Sequence, residues 1–221
     1  IERPQQFVPA MVIAPGVGGA TLGQFVEFFD SKLGPANDRA QQPPPLGLMV
    51  RHRHAAWGVG AYFTPDRYED HWVCEYWKAG EGRWLLVDAQ LDAMHREALQ
   101  IEFDTLDVPH SQFLTAGKAW QLCRAGQADP EHFGIFDMHG MWFIRGNLIR
   151  DLAALNKIEI LPWDGEGWPL IERKDEDLSE ADMALLDHAA ELTLADNDAF
   201  AAVRAVYKDN ANLQMPRDWQ P

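Results

Sequence analysis

The segment from Glu69 to Gln90 constrains the fold more than any other part of this 221-residue chain. It holds two runs rich in aromatic and β-branched residues, HWVCEYW and WLLVDAQ, which are typical of strands. Between them lies KAGEGR, whose two glycines indicate a turn. The pattern therefore predicts a β-hairpin with antiparallel strands over residues 70–77 and 84–90.

Two polar residues of this hairpin, His71 and Asp88, fall on the same face whichever even-length loop joins the strands. A four-residue loop places His71 opposite Asp88, whereas a six-residue loop places Val73 opposite Asp88 and leaves His71 on the diagonal. In both registers the two side chains are within reach of each other. We expect the two residues to form a hydrogen-bonded pair, an arrangement that occurs in proton-transfer sites. The alternative is an imidazole that is merely satisfied by a nearby carboxylate.

The two cysteines, Cys74 and Cys123, are too few for a disulfide framework and fit a reducing cytoplasm. Cys74 has the opposite strand parity to His71, so we do not expect it to be a nucleophile for that histidine. It shares its face with four residues typical of a core: Trp72, Tyr76, Leu85 and Val87. We expect both thiols to be reduced, largely buried and more than about 7 Å from His71, beyond disulfide or thiol–base geometry.

The rest of the chain alternates between helical patterns and loops. Apolar spacing, caps and closing glycines predict five helical segments: Ala20–Gly34, Ser111–Gly126 from a Ser N-cap, Met141–Lys157 from about Ile144, Ser179–Ala195 from a Ser-x-x-Asp cap, and Asn197–Asp209. The run WGVGAYF, Trp57–Phe63, predicts a further strand. Together these elements predict an α+β fold in which an antiparallel sheet packs against helices, with a helical pair at the C-terminal end.

The same patterns divide the chain into three parts. These are an N-terminal arm and helix over residues 1–33, a central domain over residues 34–171, and an acidic helical extension over residues 172–221. Acidic residues are dense between Glu172 and Asp182, and we expect this run to be a solvated connection to the C-terminal helices.

Charge and composition narrow the class of partner. The chain has 19 Lys and Arg against 34 Asp and Glu, so its net charge of −15 repels phosphate backbones and disfavours nucleic acid as a partner. No apolar run approaches the roughly 20 residues of a membrane-spanning helix. RHRH, Arg51–His54, lacks a third metal ligand at a recognisable spacing, and the glycine-rich APGVGGATLG misses the GxGxxG pattern. We therefore expect no metal, no cofactor and no membrane partner, and a cytoplasmic protein.

Four longer blocks resemble the transglutaminase-like superfamily of papain-like folds, most closely its bacterial members of unassigned role: GAYFTPDRYEDHWVCEYW, WLLVDAQLD, IRGNLIRDLAALNK and LPWDG. The resemblance covers roughly residues 34–165. It implies a core in which a Cys at a helix N-terminus is the nucleophile, a strand His is its base, and an Asp orients the imidazole. His71 and Asp88 stand at the His and Asp positions of that arrangement.

The chain departs from this family at the nucleophile. The corresponding segment is GPANDRA, Gly34–Ala40, in which Ala36 stands at the Cys position. The apolar helix that would follow and lower the thiol pKa is replaced by QQPPPLG, whose three successive prolines cannot form an ordinary helix interior. The resemblance therefore implies a vacant nucleophile position at Ala36, and a cavity between the His71–Asp88 pair and Ala36 or its neighbours. It also implies that His71 acts as a general acid or base oriented by Asp88, on a small-molecule or peptide substrate. The residues alone do not distinguish a natural alanine, an engineered alanine and a shifted alignment.

Five residues are candidates for substrate contact: Trp57, Tyr62, Trp72, Arg145 and Asn147. The tryptophans, together with Trp163, could line an aromatic pocket, and the Arg and Asn lie near a helix start, where they could hold a carboxylate or a backbone group. Structural ion pairs among Arg145, Arg150 and Asp151 are an equally open alternative. Two functions remain: an enzyme that uses His71 without a Cys nucleophile, or a non-catalytic binding or interaction protein on a degenerate transglutaminase-like scaffold.

Overall fold

The computed structural model describes residues 51–55, 68–78, 80–88, 91–158, 165–194 and 199–216. The predicted helix Ala20–Gly34 and the predicted strand Trp57–Phe63 lie outside these ranges. So do the nucleophile position and three aromatic candidates: Ala36, Trp57, Tyr62 and Trp163.

The described residues form a mixture of strands and helices. The strands are β1 (Arg51–Ala55), β2 (Tyr68–Glu69), β3 (His71–Lys78), β4 (Arg83–Val87), β5 (Phe133–Ile135) and β6 (Met138–His139). The α-helices are α1 (Ala93–Ala98), α2 (Ala116–Arg124), α3 (Met141–Leu155), α4 (Pro169–Glu172), α5 (Glu180–Leu194) and α6 (Phe200–Asp209). Short 3-10 turns lie at Pro130–His132, Asp175–Asp177 and Ala211–Leu213. The predicted α+β class is confirmed.

The main sheet is antiparallel and has the strand order β1-β3-β4. Strands β3 and β4 are the predicted hairpin. Lys78 pairs with Arg83, which leaves residues 79–82 as the connection between the two strands. The aromatic and β-branched composition of the two runs thus produces the strands that it predicts.

The register of the hairpin is the second of the two that the sequence allows. Cys74 pairs with Val87, so the same register continued by one residue sets Val73 in line with Asp88 and leaves His71 on the diagonal. The expectation that this register needs a six-residue loop is wrong, because strand pairing continues to the residues that flank the four-residue connection. The shared face of His71 and Asp88 depends only on parity, and parity is as predicted.

A second small sheet, with the order β2-β5-β6, lies where the chain enters the hairpin. Its β2–β5 pair is parallel, which the prediction of an antiparallel sheet did not include. The Tyr68 ring stacks on Phe133 with their centroids 4.7 Å apart. Gly134 has a φ of +154°, and a Cβ there would lie 1.9 Å from the backbone oxygen of Met138. Only glycine fits this position of β5.

Most buried apolar residues belong to one cluster built by the helices. Most of its members come from α2, α3, α5 and α6, including Ala119, Trp120, Ile144, Leu148, Leu152, Leu186, Ala190 and Val203. Residues from both sides of the predicted boundary between 171 and 172 pack in this cluster. The helices after α4 therefore share a core with the helices before it, and the boundary itself stays a prediction.

The hairpin is buried on both faces. The face of His71 carries a small apolar cluster: Val73, Leu86, Val108 and Phe113. On the opposite face, Leu85 and Val87 are also buried. The face of Cys74 was expected to be core, and the loop that follows α1 also covers the other face through Val108 and Phe113.

Two helices begin at residues other than those predicted. Helix α2 starts at Ala116, and its N-cap is Thr115, whose side chain accepts a hydrogen bond from the Lys118 backbone nitrogen at 3.4 Å. The predicted Ser111 cap is wrong, because the residues after it run to the buried Phe113 before the helix begins. Helix α3 starts at Met141, three residues before the predicted start at Ile144, and follows directly on Gly140.

The C-terminal helical pair is present as α5 and α6. Ser179 and Asp182 form the predicted capping box of α5. The Asp182 backbone nitrogen donates to Ser179 Oγ at 3.1 Å, and the Ser179 backbone nitrogen donates to Asp182 Oδ2 at 3.0 Å. In the parts of the chain that the structure describes, no helix combines the length and the apolar character needed to cross a membrane.

Candidate functional site

The site begins with a buried hydrogen bond between His71, the first residue of β3, and Asp88, which directly follows β4. Nε2 of His71 lies 2.6 Å from Oδ2 of Asp88. The Asp88 residue is fully buried and His71 is 9% exposed. The backbone nitrogen of Asp88 also donates to the Thr105 oxygen at 2.7 Å, which holds this residue beyond the end of the strand. The predicted hydrogen bond is thus present, and its catalytic role stays a prediction.

The geometry of this bond assigns a task to each nitrogen of the imidazole. An ionised carboxylate only accepts hydrogen bonds, so Nε2 of His71 carries the hydrogen and donates it to Asp88. The neutral ring then has its lone pair on Nδ1. The pair therefore fixes the tautomer of the ring and makes Nδ1 the nitrogen that can take up a proton.

The pair has apolar neighbours on the strand face that it occupies, a face that also carries the buried Glu75. Val73 and Leu86, the neighbours of His71 and Asp88 along that face, pack with Val108 and Phe113. These groups keep water from part of the pair and strengthen the attraction between the carboxylate and an imidazolium. The cavity that we predict beside the pair stays a prediction, because its expected opposite wall at Ala36 lies outside the described residues.

A second polar cluster lies next to the pair and is centred on Asp70. Its Oδ1 accepts a hydrogen bond from Asn147 Nδ2 at 2.8 Å, and its Oδ2 accepts one from Trp72 Nε1 at 3.2 Å. The other end of the Asn147 amide accepts from Arg150 Nη1 at 2.9 Å. Two of the predicted substrate contacts, Trp72 and Asn147, are thus brought together, and the residue that joins them is one that sequence reasoning did not single out.

Burial raises the pKa of the Asp70 carboxyl from 3.8 to about 6. The hydrogen bond from Trp72, the charge of Arg150, the hydrogen bond from Asn147 and the charge of His71 all lower that pKa, but burial has the larger effect. One sequence signal could have identified Asp70: it has the same strand parity as Trp72, two residues away, so both side chains lie on one face.

Parity separates this second cluster from the His71–Asp88 pair. Trp72 lies on the face of β3 opposite to His71, and its indole is held by Asp70. The two groups of residues meet only at the beginning of β3, where Asp70 and His71 are adjacent in the chain. A direct contact between Trp72 and a substrate on His71 stays a prediction.

Arg145 is buried and bonded within the protein. Its Nη1 donates to the Asp175 carboxylate and its Nη2 to the backbone oxygen of Arg173. Burial lowers the pKa of the guanidinium, and the charge and hydrogen bond of Asp175 raise it. These contacts fit the structural alternative better than substrate binding, although the partner is Asp175 and not the expected Asp151.

The acidic run between Glu172 and Asp182 is mostly exposed to solvent, as predicted, and two of its carboxylates also bond to guanidinium groups. Asp175 is joined to the buried Arg145, and Asp182 is joined to Arg173 at 2.7 Å. The Arg145–Asp175 ion pair joins the run to helix α3, whereas the Arg173–Asp182 ion pair joins its two ends.

Cys123 is free and half-buried on α2, whereas the prediction was a largely buried thiol. Burial, followed by the charge of Asp129, raises the pKa of this thiol to about 11. A thiol with this pKa is a poor nucleophile at neutral pH, as expected for a structural cysteine. The side chain of Cys74 lies outside the description, so the prediction for it stays open.

Residues Arg51–His54 form most of β1, as their alternating pattern allows. Within the described ranges, no group of three or more His, Cys, Asp or Glu is arranged to hold a metal ion.

Comparisons of the whole chain with protein-family models, with curated proteins and with solved structures gave no match in any of the three cases.

Proposed function

We propose that this chain is a divergent transglutaminase-like enzyme that acts on a small-molecule, peptide or amide substrate without a Cys nucleophile. His71 is the general acid or base, and Asp88 orients its ring. The observation that carries the proposal is the buried hydrogen bond of 2.6 Å between His71 Nε2 and Asp88 Oδ2. The resemblance of four sequence blocks to that superfamily supports the assignment of these two roles.

The chemistry follows from the polarity of the bond. When Nδ1 of His71 takes a proton from a substrate or a water molecule, the ring becomes an imidazolium next to the Asp88 carboxylate. That carboxylate is fully buried, so its attraction to the new charge is weakly screened. The pair can hold the proton and return it to a leaving group, which is the work of a general acid–base catalyst. Ala36 has no nucleophilic atom, so no acyl-thioester forms. The water molecule or substrate group that His71 deprotonates attacks the substrate directly.

A second function, a binding or interaction protein without turnover, is favoured by a separate observation. The three described residues expected to contact substrate all have partners inside the protein: Trp72 and Asn147 bond to Asp70, and Arg145 bonds to Asp175. Polar groups that are already satisfied have less to offer a substrate. In this alternative, His71 and Asp88 are a structural pair on an inherited scaffold.

Hydrolysis of activated substrates separates the two functions. Native protein and the variant His71→Ala are assayed with p-nitrophenyl acetate and a panel of amino-acid p-nitroanilides at neutral pH. The enzyme proposal predicts turnover by the native protein and a loss of about 10²–10⁴-fold in the variant. Equal rates for the two proteins, or no turnover above buffer by either, support the binding alternative.

A matched control is provided by His95. Its ring is 8% exposed, and its Nδ1 lies 2.7 Å from Asp92 Oδ1, so it is another buried histidine with an aspartate partner. We expect His95→Gln to keep the native rate. A similar loss in this control would mean that removal of any buried histidine lowers activity through folding.

A further inference from the structure

Asp70 is anchored at three points around the start of β3. Its backbone nitrogen donates to the Gly134 oxygen of β5 at 3.1 Å. Its two carboxyl oxygens accept from Asn147 of α3 and from Trp72 of β3. His71 is the next residue in the chain. The second sheet and helix α3 are therefore both hydrogen-bonded to Asp70, the residue that precedes His71.

We propose that Asp70 is a positioning residue, whose carboxylate holds the start of β3 and with it the His71 ring against Asp88. The proposal rests on the proposed function for the task that His71 performs. The placement of the ring is a separate physical statement, and it can be measured without a substrate.

The donors around Asp70 require a carboxylate at this position. Trp72 Nε1 and Asn147 Nδ2 are both hydrogen-bond donors, and each needs its own acceptor oxygen. A carboxylate offers two acceptors. An asparagine amide turns one of these positions into a donor, so one of the two bonds is lost, and protonation of the carboxyl makes its hydroxyl oxygen a weaker acceptor. The anchor is strongest while Asp70 is ionised.

The orientation of the Asn147 amide is fixed from its other end. Arg150 Nη1 donates to Asn147 Oδ1, so the amide nitrogen faces Asp70. The guanidinium is itself closely packed: a Cβ on Gly146 would lie 3.1 Å from Nη1, and one on Gly165 would lie 3.4 Å from Nη2. Asn147 cannot turn its oxygen toward Asp70 without losing the bond from Arg150.

The charged groups that act on the Asp70 carboxyl come from two elements, Arg150 of α3 and His71 of β3. Both lower its pKa, and burial raises it to about 6. The anchor is therefore expected to weaken in mildly acidic solution. His71 is the next residue in the chain and can also bind a proton, so the experiment must separate the two groups.

Nitrogen-15 NMR of the indole groups tests the anchor in the intact chain. The Trp72 resonance is identified by its loss in Trp72→Phe and is followed against pH. We expect it to move with a midpoint near pH 6, to stop moving in Asp70→Asn, and to keep moving in His71→Gln. A Trp72 resonance that does not titrate, or that stops titrating in His71→Gln, overturns the proposal.

Trp120 is an internal control of the same chemistry. Its Nε1 donates to Asp187 Oδ1 at 2.7 Å, and hydrogen bonds from Arg124 hold the pKa of Asp187 below its usual value. Its resonance should therefore be constant across the range in which Trp72 moves. Movement of both resonances with one midpoint would reveal a general conformational change and contradict the assignment to Asp70.

The positioning of His71 is read from its own ring nitrogens at neutral pH. We expect their resonances to move in Asp70→Asn and to keep their native values in Asp187→Asn, which removes a carboxylate from the matched Trp pair. Unchanged His71 resonances in Asp70→Asn contradict the proposal. If Asp70→Asn does not fold, the pH titration of Trp72 in the native chain and in His71→Gln decides the question.

Failure of this inference is distinct from failure of the proposed function. If hydrolysis does not depend on His71 but the His71 ring resonances depend on Asp70, the positioning role of Asp70 stands and the catalytic proposal fails. If hydrolysis depends on His71 but its ring resonances do not change in Asp70→Asn, the catalytic proposal stands and the positioning role of Asp70 fails.

Discussion

Asn147 Nδ2 donates a hydrogen bond of 2.8 Å to Oδ1 of Asp70, a residue 77 positions earlier in the chain. This bond joins α3 to the residue directly before β3. It therefore places a polar contact between the helical core and the strand that carries His71. Removing it affects folding and the candidate site together.

We therefore expect Asn147→Ala to lower the free energy of unfolding by about 1–3 kcal/mol at neutral pH, because Asp70 then loses a donor to its buried carboxylate. Urea unfolding followed by tryptophan fluorescence measures this. Asn156→Ala is the control, since Asn156 Nδ2 donates to the Leu152 oxygen at 2.8 Å at the end of the same helix. A larger loss in the control than in Asn147→Ala would contradict the importance of the Asp70 contact.

The raised pKa of Asp70 predicts how stability depends on pH. Burial raises this pKa from 3.8 to about 6, so the folded chain binds the proton more tightly than the unfolded chain. The contribution to stability is fully present below pH 3.8 and is lost as the pH rises through about 6. The native protein should lose roughly 3 kcal/mol relative to Asp70→Asn across this window. Urea unfolding at several pH values gives the difference.

Asp187 has a pKa shift of the opposite sign, so its contribution to stability should depend on pH in the opposite direction. Hydrogen bonds from Arg124 lower its pKa, so its contribution is present above the unfolded value and is lost as the pH falls. The advantage of the native protein over Asp187→Asn should therefore be constant between about pH 5 and pH 7. A parallel pH dependence for the two aspartate variants would be incompatible with the assigned shifts.

The backbone oxygen of Gly134 accepts a hydrogen bond from the Asp70 backbone nitrogen. The conformation of Gly134 leaves no room for a side chain. A Cβ would lie 1.9 Å from the Met138 oxygen, on a residue with φ +154°. We expect Gly134→Ala to lower the free energy of unfolding by about 3 kcal/mol or more. Gly80→Ala is the matched control, because nothing lies within 4 Å of a Cβ at that position. Equal unfolding midpoints for the two variants would contradict the close approach in β5.

The thiol of Cys123 should react slowly in the folded protein. Burial raises its pKa to about 11, so at pH 8 its thiolate fraction is about 10²-fold below that of an ordinary cysteine. Iodoacetamide labelling of native protein, followed by peptide mass analysis, measures the rate, and urea-unfolded protein is the control. Labelling of Cys123 at the same rate in the folded and unfolded chains would show that the thiol is not protected.

Local patterns predicted the parts of the fold that depend on neighbouring residues. The strand composition gave the hairpin, parity placed His71 and Asp88 on one face, and the Ser179–Asp182 box marked the start of α5. Each of these depends on residues whose spacing is set by the geometry of a strand or a helix.

The contacts that sequence reasoning missed join distant parts of the chain. Asp70 meets Asn147 and Arg145 meets Asp175 only because α3 packs as it does, and no local spacing encodes that packing. The Ser111 cap failed for a related reason: burial of Phe113 in the hairpin cluster extends the loop and delays the helix to Thr115. Both Ser111 and Thr115 are suitable N-cap residues, and the burial of Phe113 favours the helix start at Thr115.

The most direct test of the central claim is the protonation pattern of the His71 ring. Long-range proton–nitrogen NMR is recorded at a pH where the ring is neutral, with His71→Gln to assign its signals. The proposed acid–base role predicts a hydrogen on Nε2, donated to Asp88, and no hydrogen on Nδ1. A hydrogen on Nδ1 and none on Nε2 would contradict the base that we propose.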